Sequence, residues 1–526
     1  MRVRFVEPRP PGHHVYDAAV LPRLGLPLMA TMLANQGHDV RCYAEVVAPI
    51  DVEDCLAADL IGISSTTSTA PYAYQLAREF EAAGVPVVMG GSHVSFLADE
   101  ALAHARYVVR GEGEQTVCEL VGALERGLPP EGIRGLSWRD THGRHHHNLS
   151  RPRCDQTAFE ALPIPDLTLL EGHQRMSIKP LMTQWGCPFD CEFCSVTAMF
   201  SRTVRYRRND QVLAELDGLE AERVFFHDDN FVVDKRRTRD LLAQMIRRDL
   251  RPEWFAQVRA ADTVFASKSS RQPDHRFLAL LRRAGCRMVM VGFESVSDAS
   301  LAQANKRQTV QDVVDAVELF HRHDIRVHGM FVVGFETDQP DQAARTTEFA
   351  KRIGIDTIQI MIETPLPGTR LYERAQAEGQ LLTGDWELYD GHHVVMQPAG
   401  MHPRDLQQRV MQAMERFYSL PQVWRPAVRS LLSRLPALTG IAVRNRLPAR
   451  FPTLARLVLR HRWDELVTRL RTDLPHADWA KIEDILTVPA LRAYGRRQVA
   501  VFDHQEHTRR HLDFLARTTI PTDRSF

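Results

Sequence analysis

Three cysteines stand in the stretch GCPFDCEFC, at positions 187, 191 and 194, and no fourth follows nearby. A structural zinc site closes its tetrahedron with four ligands, commonly as paired C-x-x-C units, and the sequence holds no second pair. Catalytic zinc manages with three protein ligands, but His or carboxylate usually contributes, so three thiolates point to softer chemistry. A four-iron cluster held by only three thiolates keeps one iron open for a substrate or cosubstrate. The other five cysteines, Cys42, Cys55, Cys118, Cys154 and Cys286, are scattered singly. They read as small buried hydrophobes of a reducing compartment.

An open iron needs polar groups held around it. From 180 to 365 six apolar strand candidates recur: PLMTQW at 180, RVFFH at 223, WFAQV at 254, RMVMVGF at 287, RVHGMFVVGF at 326 and TIQIMIE at 357. Amphipathic helical stretches such as RTRDLLAQMIRRDL separate them. This repeated strand-helix unit predicts a partial (β/α)6 version of the eight-fold TIM-like barrel, in which chemistry collects where the strands end. The positions just past the six strands are the Cys187 loop, Asp228-Asp229, Arg259, Glu294-Ser295, Gly334 and Glu363-Thr364. Loop punctuation by acids and arginines accounts for any one of these, but poorly for six in register.

Upstream, DLIGIS, APYAYQLAREFEAAG, VPVVMGG and RYVVRGEGE alternate apolar runs with helical stretches. That grammar predicts a doubly wound, Rossmann-like α/β domain over 1–135, with its ligand at the carboxyl ends of the strands. There lie Ser64, Ser65, Thr66, Gly90, Gly91, His93, Gly111 and Glu112. A β-hairpin around His142-Gly143 and the proline-punctuated ALPIPDL make a connection over 136–172, with His145 to His147 on a solvated strand. The barrel then spans 173–395 and a helical region 396–526. Between 421 and 472, eleven arginines face only Asp464 and Glu465, and PTLARLVLRHRWDELVTRL has the spacing of an interfacial helix or of a basic helix docked on the barrel.

Lys plus Arg and Asp plus Glu are both 66, so no global field steers the chain onto nucleic acid, and no nucleic-acid module is present. The start MRVRFVEPRP lacks a signal-peptide pattern, and no apolar run approaches the roughly 20 residues that span a bilayer. A cytoplasmic protein is expected.

C-x-x-x-C-x-x-C after the first strand of a strand-helix barrel resembles the radical S-adenosylmethionine (SAM) superfamily. The resemblance implies a [4Fe–4S] cluster on Cys187, Cys191 and Cys194, whose open iron is chelated by the amino and carboxylate groups of SAM. An external low-potential donor would supply the electron that cleaves SAM to a 5′-deoxyadenosyl radical. Phe193 then falls near the adenine, Asp228 and Asp229 near the SAM amino group, Arg259 near its carboxylate and Glu294 near the ribose. Ser295 sits beside that position, and the GMFVVGF segment ending at Gly334 resembles the glycine motif that lets backbone approach the adenine.

The first domain, with GISS, VVMGGSHVS and VVRGEGE ahead of such a barrel, looks like the cobalamin-binding subfamily, and the likeness extends to the PLPGT stretch. Ser64, Ser65 and Thr66 would line the nucleotide tail and Gly90-Gly91 would give it clearance. The Asp-x-His-x-x-Gly motif that ligates cobalt from below in many cobalamin proteins is absent, as it often is in this subfamily. The implied activity is C-methylation of an unactivated carbon by a 5′-deoxyadenosyl radical and methylcobalamin. The alternative is a cyclase, oxidase or carbon-carbon bond former on a lipid or tetrapyrrole-like substrate. A lid is expected over the barrel, with the C-terminal helices as its natural source.

Overall fold

The computed structural model describes residues 1–12, 20–261, 272–419 and 479–518. The first sheet holds β1 (Arg2–Glu7), β2 (Asp39–Ala44), β3 (Leu60–Ser64), β4 (Val87–Gly90), β5 (Tyr107–Val109), β6 (Leu136–Arg139) and β7 (His145–His147). Its strand order is β2-β1-β3-β4-β5-β6-β7. The first five pair in parallel, and the predicted hairpin β6-β7 continues the sheet antiparallel at one edge.

The parallel strands read as apolar runs because both faces are covered. Val3, Phe5, Leu60 and Val88 pack with the helix Gly25–Ala34 on one side. Val6, Ile61, Ile63 and Val87 pack with the helix Ala70–Ala82 on the other. Arg4 is 2 % exposed on β1. It is kept there by the carboxylates of Asp54, at 3.0 Å, and Asp39, at 3.1 Å. The chain winds from β1 to β2 in one direction and from β3 to β5 in the other, which opens a crevice at the carboxyl ends of the strands.

The second sheet is parallel throughout and follows chain order: β8 (Lys179–Leu181), β11 (Arg223–Phe226), β12 (Glu253–Val258), β13 (Cys286–Glu294), β14 (Arg326–Val333) and β15 (Thr357–Ile362). Helices Asn209–Gly218, Lys235–Arg247, His275–Arg283, Val310–Arg322 and Gln342–Ile353 alternate with these strands. The six strands expected from the sequence are all present, with one difference. PLMTQW is not one strand: β8 stops at Leu181, and Gln184–Trp185 (β9) pairs antiparallel with Arg205–Tyr206 (β10) outside the main sheet.

The described C-terminal helices, Pro403–Phe417, Trp479–His504 and Glu506–Arg517, pack against β15 and the segment that follows it. Arg492 donates to the carbonyls of Ile355, at 2.8 Å, and Asp356, at 2.6 Å, ahead of β15. The Tyr418 hydroxyl accepts from the Ile358 N–H at 3.0 Å and donates to its C=O at 2.6 Å. Arg492 and Tyr418 thus bind the amino-terminal end of a barrel strand, opposite the mouth, so this contact does not form the expected lid. The arginine-rich stretch 421–472 lies outside the described residues. Among the described residues no helix is long and apolar enough to cross a membrane.

Tyr418 is 2 % exposed, and its hydroxyl holds two buried backbone groups. Tyr418→Phe should therefore destabilise the chain by about 1–3 kcal/mol, read as a lower denaturant midpoint with an unchanged slope.

Candidate functional site

The cysteine loop leaves the barrel at Asp228. Its carboxylate accepts from the Thr183 N–H at 2.7 Å, the Thr183 hydroxyl at 2.6 Å and the Gln184 N–H at 3.1 Å. Those donors would otherwise face the next strand, so Asp228 turns the chain out of the sheet after β8. Its neighbour Asp229 accepts from the Gly186 N–H at 3.2 Å, and Gly186 has φ +86°. A Cβ there would lie 2.2 Å from the Thr203 carbonyl oxygen, so only glycine lets the loop pass over the β9-β10 ladder.

Beyond this turn Cys187, Cys191 and Cys194 share one loop, with Cys191 buried and the others half-buried. Cys194 precedes the helix Ser195–Phe200, whose Val196 and Thr197 N–H groups face its sulfur. Burial pushes the Cys194 thiol up to about 11 and raises Cys187, against backbone donors that favour the thiolate. A cation bound to the sulfurs supplies the missing charge and deprotonates them, so the donor set fits an iron–sulfur cluster. Arg370 pairs with Asp190 at 3.1 Å and Arg374 with Glu192 at 3.1 Å, while the Asn305 amide donates to the Asp190 carbonyl at 3.0 Å. These three anchors of the loop, from distant segments, were not singled out in the sequence.

The other strand-end residues gather around this loop. Phe193 packs near Phe335, ring centroids 6.4 Å apart, just past Gly334. Gly334 has φ +105°, and its N–H donates to Asp338 at 2.9 Å. The Arg259 guanidinium carbon stands 3.6 Å over the Phe189 ring of the loop, and Arg259 also donates to the Lys306 carbonyl. Lys306 binds Glu294 at 2.5 Å, in a pocket kept open by Gly292, whose Cβ would meet both side chains. The Ser295 hydroxyl accepts from the Gln342 amide at 3.1 Å. Burial, with Glu192, Asp338 and Glu336 adding and Arg374 opposing, pushes Glu363 up to about 8.

Asp228 differs from its sequence reading: its three protein donors leave it supporting the turn, while Asp229 faces the open space. Burial first, then the charge of Asp228, pushes Asp229 up to about 6.

That open space is a cavity of about 390 Å³ between the carboxyl ends of both sheets. Ser64, Thr66, Gly90 and Gly91 line it from the first sheet, and Gln184, His227, Asp229 and Gln257 from the barrel. Ser65 does not line it. It lies fully buried behind Gly91, whose Cβ would fall 2.1 Å from the Ser65 carbonyl oxygen, and Gly91 has φ +107°. Two further residues join the halves: Glu112 of the first domain pairs at 2.5 Å with Arg205, which stacks among Phe159, Trp185 and Phe200. Burial pushes His227 down to about 4 and Glu114 up to about 7, each toward its neutral form. A glycine-floored gap with Met29, Met182, Met199 and Trp185 around it fits a broad planar macrocycle such as cobalamin.

Residues 17–121 match the B12 binding domain and residues 182–347 the Radical SAM superfamily. The uncharacterized methyltransferase PH0819 of Pyrococcus horikoshii is 32% identical over 76% of this chain and 89% of its own length. The chain belongs to the cobalamin-dependent radical SAM methyltransferase family. Bacteriochlorophyllide d C-12(1)-methyltransferase of Chlorobaculum tepidum is 28% identical, over 75% of this chain and 82% of its own. The solved radical SAM methyltransferase TsrM of Kitasatospora setae, with cobalamin and a [4Fe-4S] cluster bound, shares the fold at TM-score 0.62 and 17% identity, covering 80% of this chain and 89% of its own. This radical SAM enzyme therefore works with a [4Fe–4S] cluster, SAM and cobalamin.

Two outcomes follow. Gly91→Ala should weaken cobalamin retention roughly tenfold or more, about 1.4 kcal/mol, read from the visible spectrum after desalting. Glu363 binds its proton more tightly folded than unfolded, so its contribution to stability is greatest below the ordinary carboxylate range and falls as pH rises from about 4.5 to about 8. Unfolding titrations of the apoprotein should show that decline, and Glu363→Gln should flatten it; an unchanged slope would remove Glu363 as its source.

Proposed function

We propose that the protein transfers a methyl group to an unactivated carbon of a small-molecule substrate. The observation that supports this most is the shared cavity, in which the strand ends of the first domain and the mouth of the barrel face the same space. When bound, the cluster and SAM supply a 5′-deoxyadenosyl radical that removes hydrogen from carbon, and cobalamin supplies the methyl group. The C-12(1)-methyltransferase relative supports carbon as the acceptor.

The chain's own residues hold and shield. Cys187, Cys191 and Cys194 hold the cluster, Asp229 accepts from the SAM amino group, and Phe193 with the Gly334 turn flanks the adenine. Arg259, Glu294 and Ser295 sit close enough to reach the remaining polar groups of SAM once the stacking on Phe189 and the Lys306 ion pair rearrange. Ser64, Thr66, Gly90 and Gly91 take the cobalamin side. Asp228 is a positioning residue. Glu363, mostly protonated at neutral pH, donates a hydrogen bond to substrate at the barrel mouth. The division at 1–135, 136–172, 173–395 and 396–526 assigns these tasks to the first and third segments. The first domain keeps water from the mouth.

We place the enzyme in the cytoplasm with an external low-potential electron donor. A lipid or isoprenoid substrate rests on the arginine-rich stretch 421–472, and charge reversal at Arg456, Arg460 and Arg469 should then abolish liposome binding.

The test of methyl transfer is the ratio of S-adenosylhomocysteine to 5′-deoxyadenosine, formed anaerobically by cluster-loaded protein with SAM, cobalamin, a low-potential reductant and extract of its own cells. Comparable amounts are expected, with deoxyadenosine abolished by Cys191→Ala. Deoxyadenosine alone would replace methylation by the cyclase, oxidase or coupling reading.

A further inference from the structure

A second group of metal-ligating side chains lies outside the cavity, where the segment after β15 meets the C-terminal helix Glu506–Arg517. One ligand atom each of Asp390, His393 and His507 lies within 4.8 Å of the other two. Asp390 is fixed by the N–H groups of His392 at 2.8 Å and His393 at 3.1 Å, both on Oδ1. Its Oδ2 stands 3.0 Å from His393 Nδ1. Two ligands on a tetrahedral zinc with bonds of about 2.0–2.1 Å are separated by about 3.3 Å, so opening this pair by a few tenths of an ångström accommodates an ion.

The surroundings supply what such a centre needs. His393 is fully buried, and its Nδ1 faces the Asp390 carboxylate; a metal would replace the proton there, with the ring then donating from Nε2 to the Thr508 hydroxyl 3.1 Å away. His511, one helical turn after His507, is 3 % exposed and donates from Nε2 to the Val394 carbonyl at 2.8 Å. Its other nitrogen, Nδ1, therefore carries a lone pair, and it is buried without a partner among the described residues. His507 Nε2 and both amide atoms of Gln505 are likewise buried without a partner among the described residues. Buried polar atoms rarely lack partners, and four atoms without one among the described residues fall over residues 505–511. Gly12 seals the site from the amino-terminal side: a Cβ there would lie 2.3 Å from Gln505 Oε1 and 3.1 Å from the His507 ring.

We infer that Asp390, His393 and His507 bind a divalent zinc ion that fastens the C-terminal helix to the barrel. Two imidazoles and a carboxylate suit zinc, and Gln505 Oε1 or water takes the fourth position. The ion joins two parts of the chain far apart in sequence, the Asp390–His393 turn and His507, so it adds a cross-link that the unfolded chain lacks. Its lack of redox chemistry keeps it from competing with the cluster for electrons.

The test is zinc content, by mass spectrometry, of full-length, cluster-loaded protein desalted after incubation with zinc. One zinc per chain is expected, retained in the Cys187→Ser, Cys191→Ser, Cys194→Ser variant and lost in His507→Ala and in Asp390→Asn. Zinc lost with the cysteines but kept in His507→Ala would place it in the cluster loop and overturn the inference, as would no zinc in the parent protein. A fold-independent readout is amide exchange over 506–517 in the parent chain, where a chelator should raise exchange at least tenfold. If that rise also occurs in His507→Ala, the chelator acts elsewhere and the site is refuted.

Discussion

A buried carboxylate at the end of a strand organises this molecule. Asp228 sits at the carboxyl end of β11, where its neighbours in the sheet cannot satisfy it, and draws two backbone N–H groups and a hydroxyl from the segment after β8. Three hydrogen bonds to one buried acid outweigh two more rungs of parallel ladder, so the first barrel strand ends early. The chain then runs out over the mouth as β9, the cysteine loop and β10. Without that turn, the cysteines would follow a strand directly and could not stand between the barrel and the first domain.

From this turn the two halves are tied at two levels. Arg205 on β10 reaches Glu112 at the end of the first sheet, in a ring of Phe159, Trp185 and Phe200. Arg370 and Arg374 hold the acids between the cysteines from the far side of the barrel. The first tie fixes the width of the cavity and the second fixes where the loop sits above it. Both use Arg-carboxylate geometry, whose directed donors position as well as attract.

The alternation of apolar runs with helical patterns made both sheets legible from sequence, and the strand-end rule located Asp229, Arg259, Glu294 and Gly334 near one loop. The rule could not say which way each side chain turns. Asp228 and Asp229 are adjacent and chemically identical, and only the turn at Thr183 decides that one is consumed by backbone while the other faces the cavity. Ser65 was misplaced for the same reason: in Ser64-Ser65-Thr66 alternate residues face opposite ways, and the middle one packs behind Gly91. Arg370, Arg374, Asn305 and the Arg205–Glu112 pair were illegible because each acts on a partner 93 or more residues away, a distance at which a single sequence carries no signal.

The charge state of the cavity follows from the same burial. Asp229 and Glu114 in the cavity are raised, as is Glu363 at the sixth strand end, and His227 is lowered, so each group is pushed toward its neutral form. Charging these buried groups is therefore costly, a cost that cationic ligands can offset: SAM carries a sulfonium and an ammonium, and iron compensates the thiolates. Acids that repel one another in the free chain become partners for a cationic cosubstrate in the loaded one. The same feature that makes the site costly to form thus makes it selective for what fills it, and it ties order at the barrel mouth to occupancy.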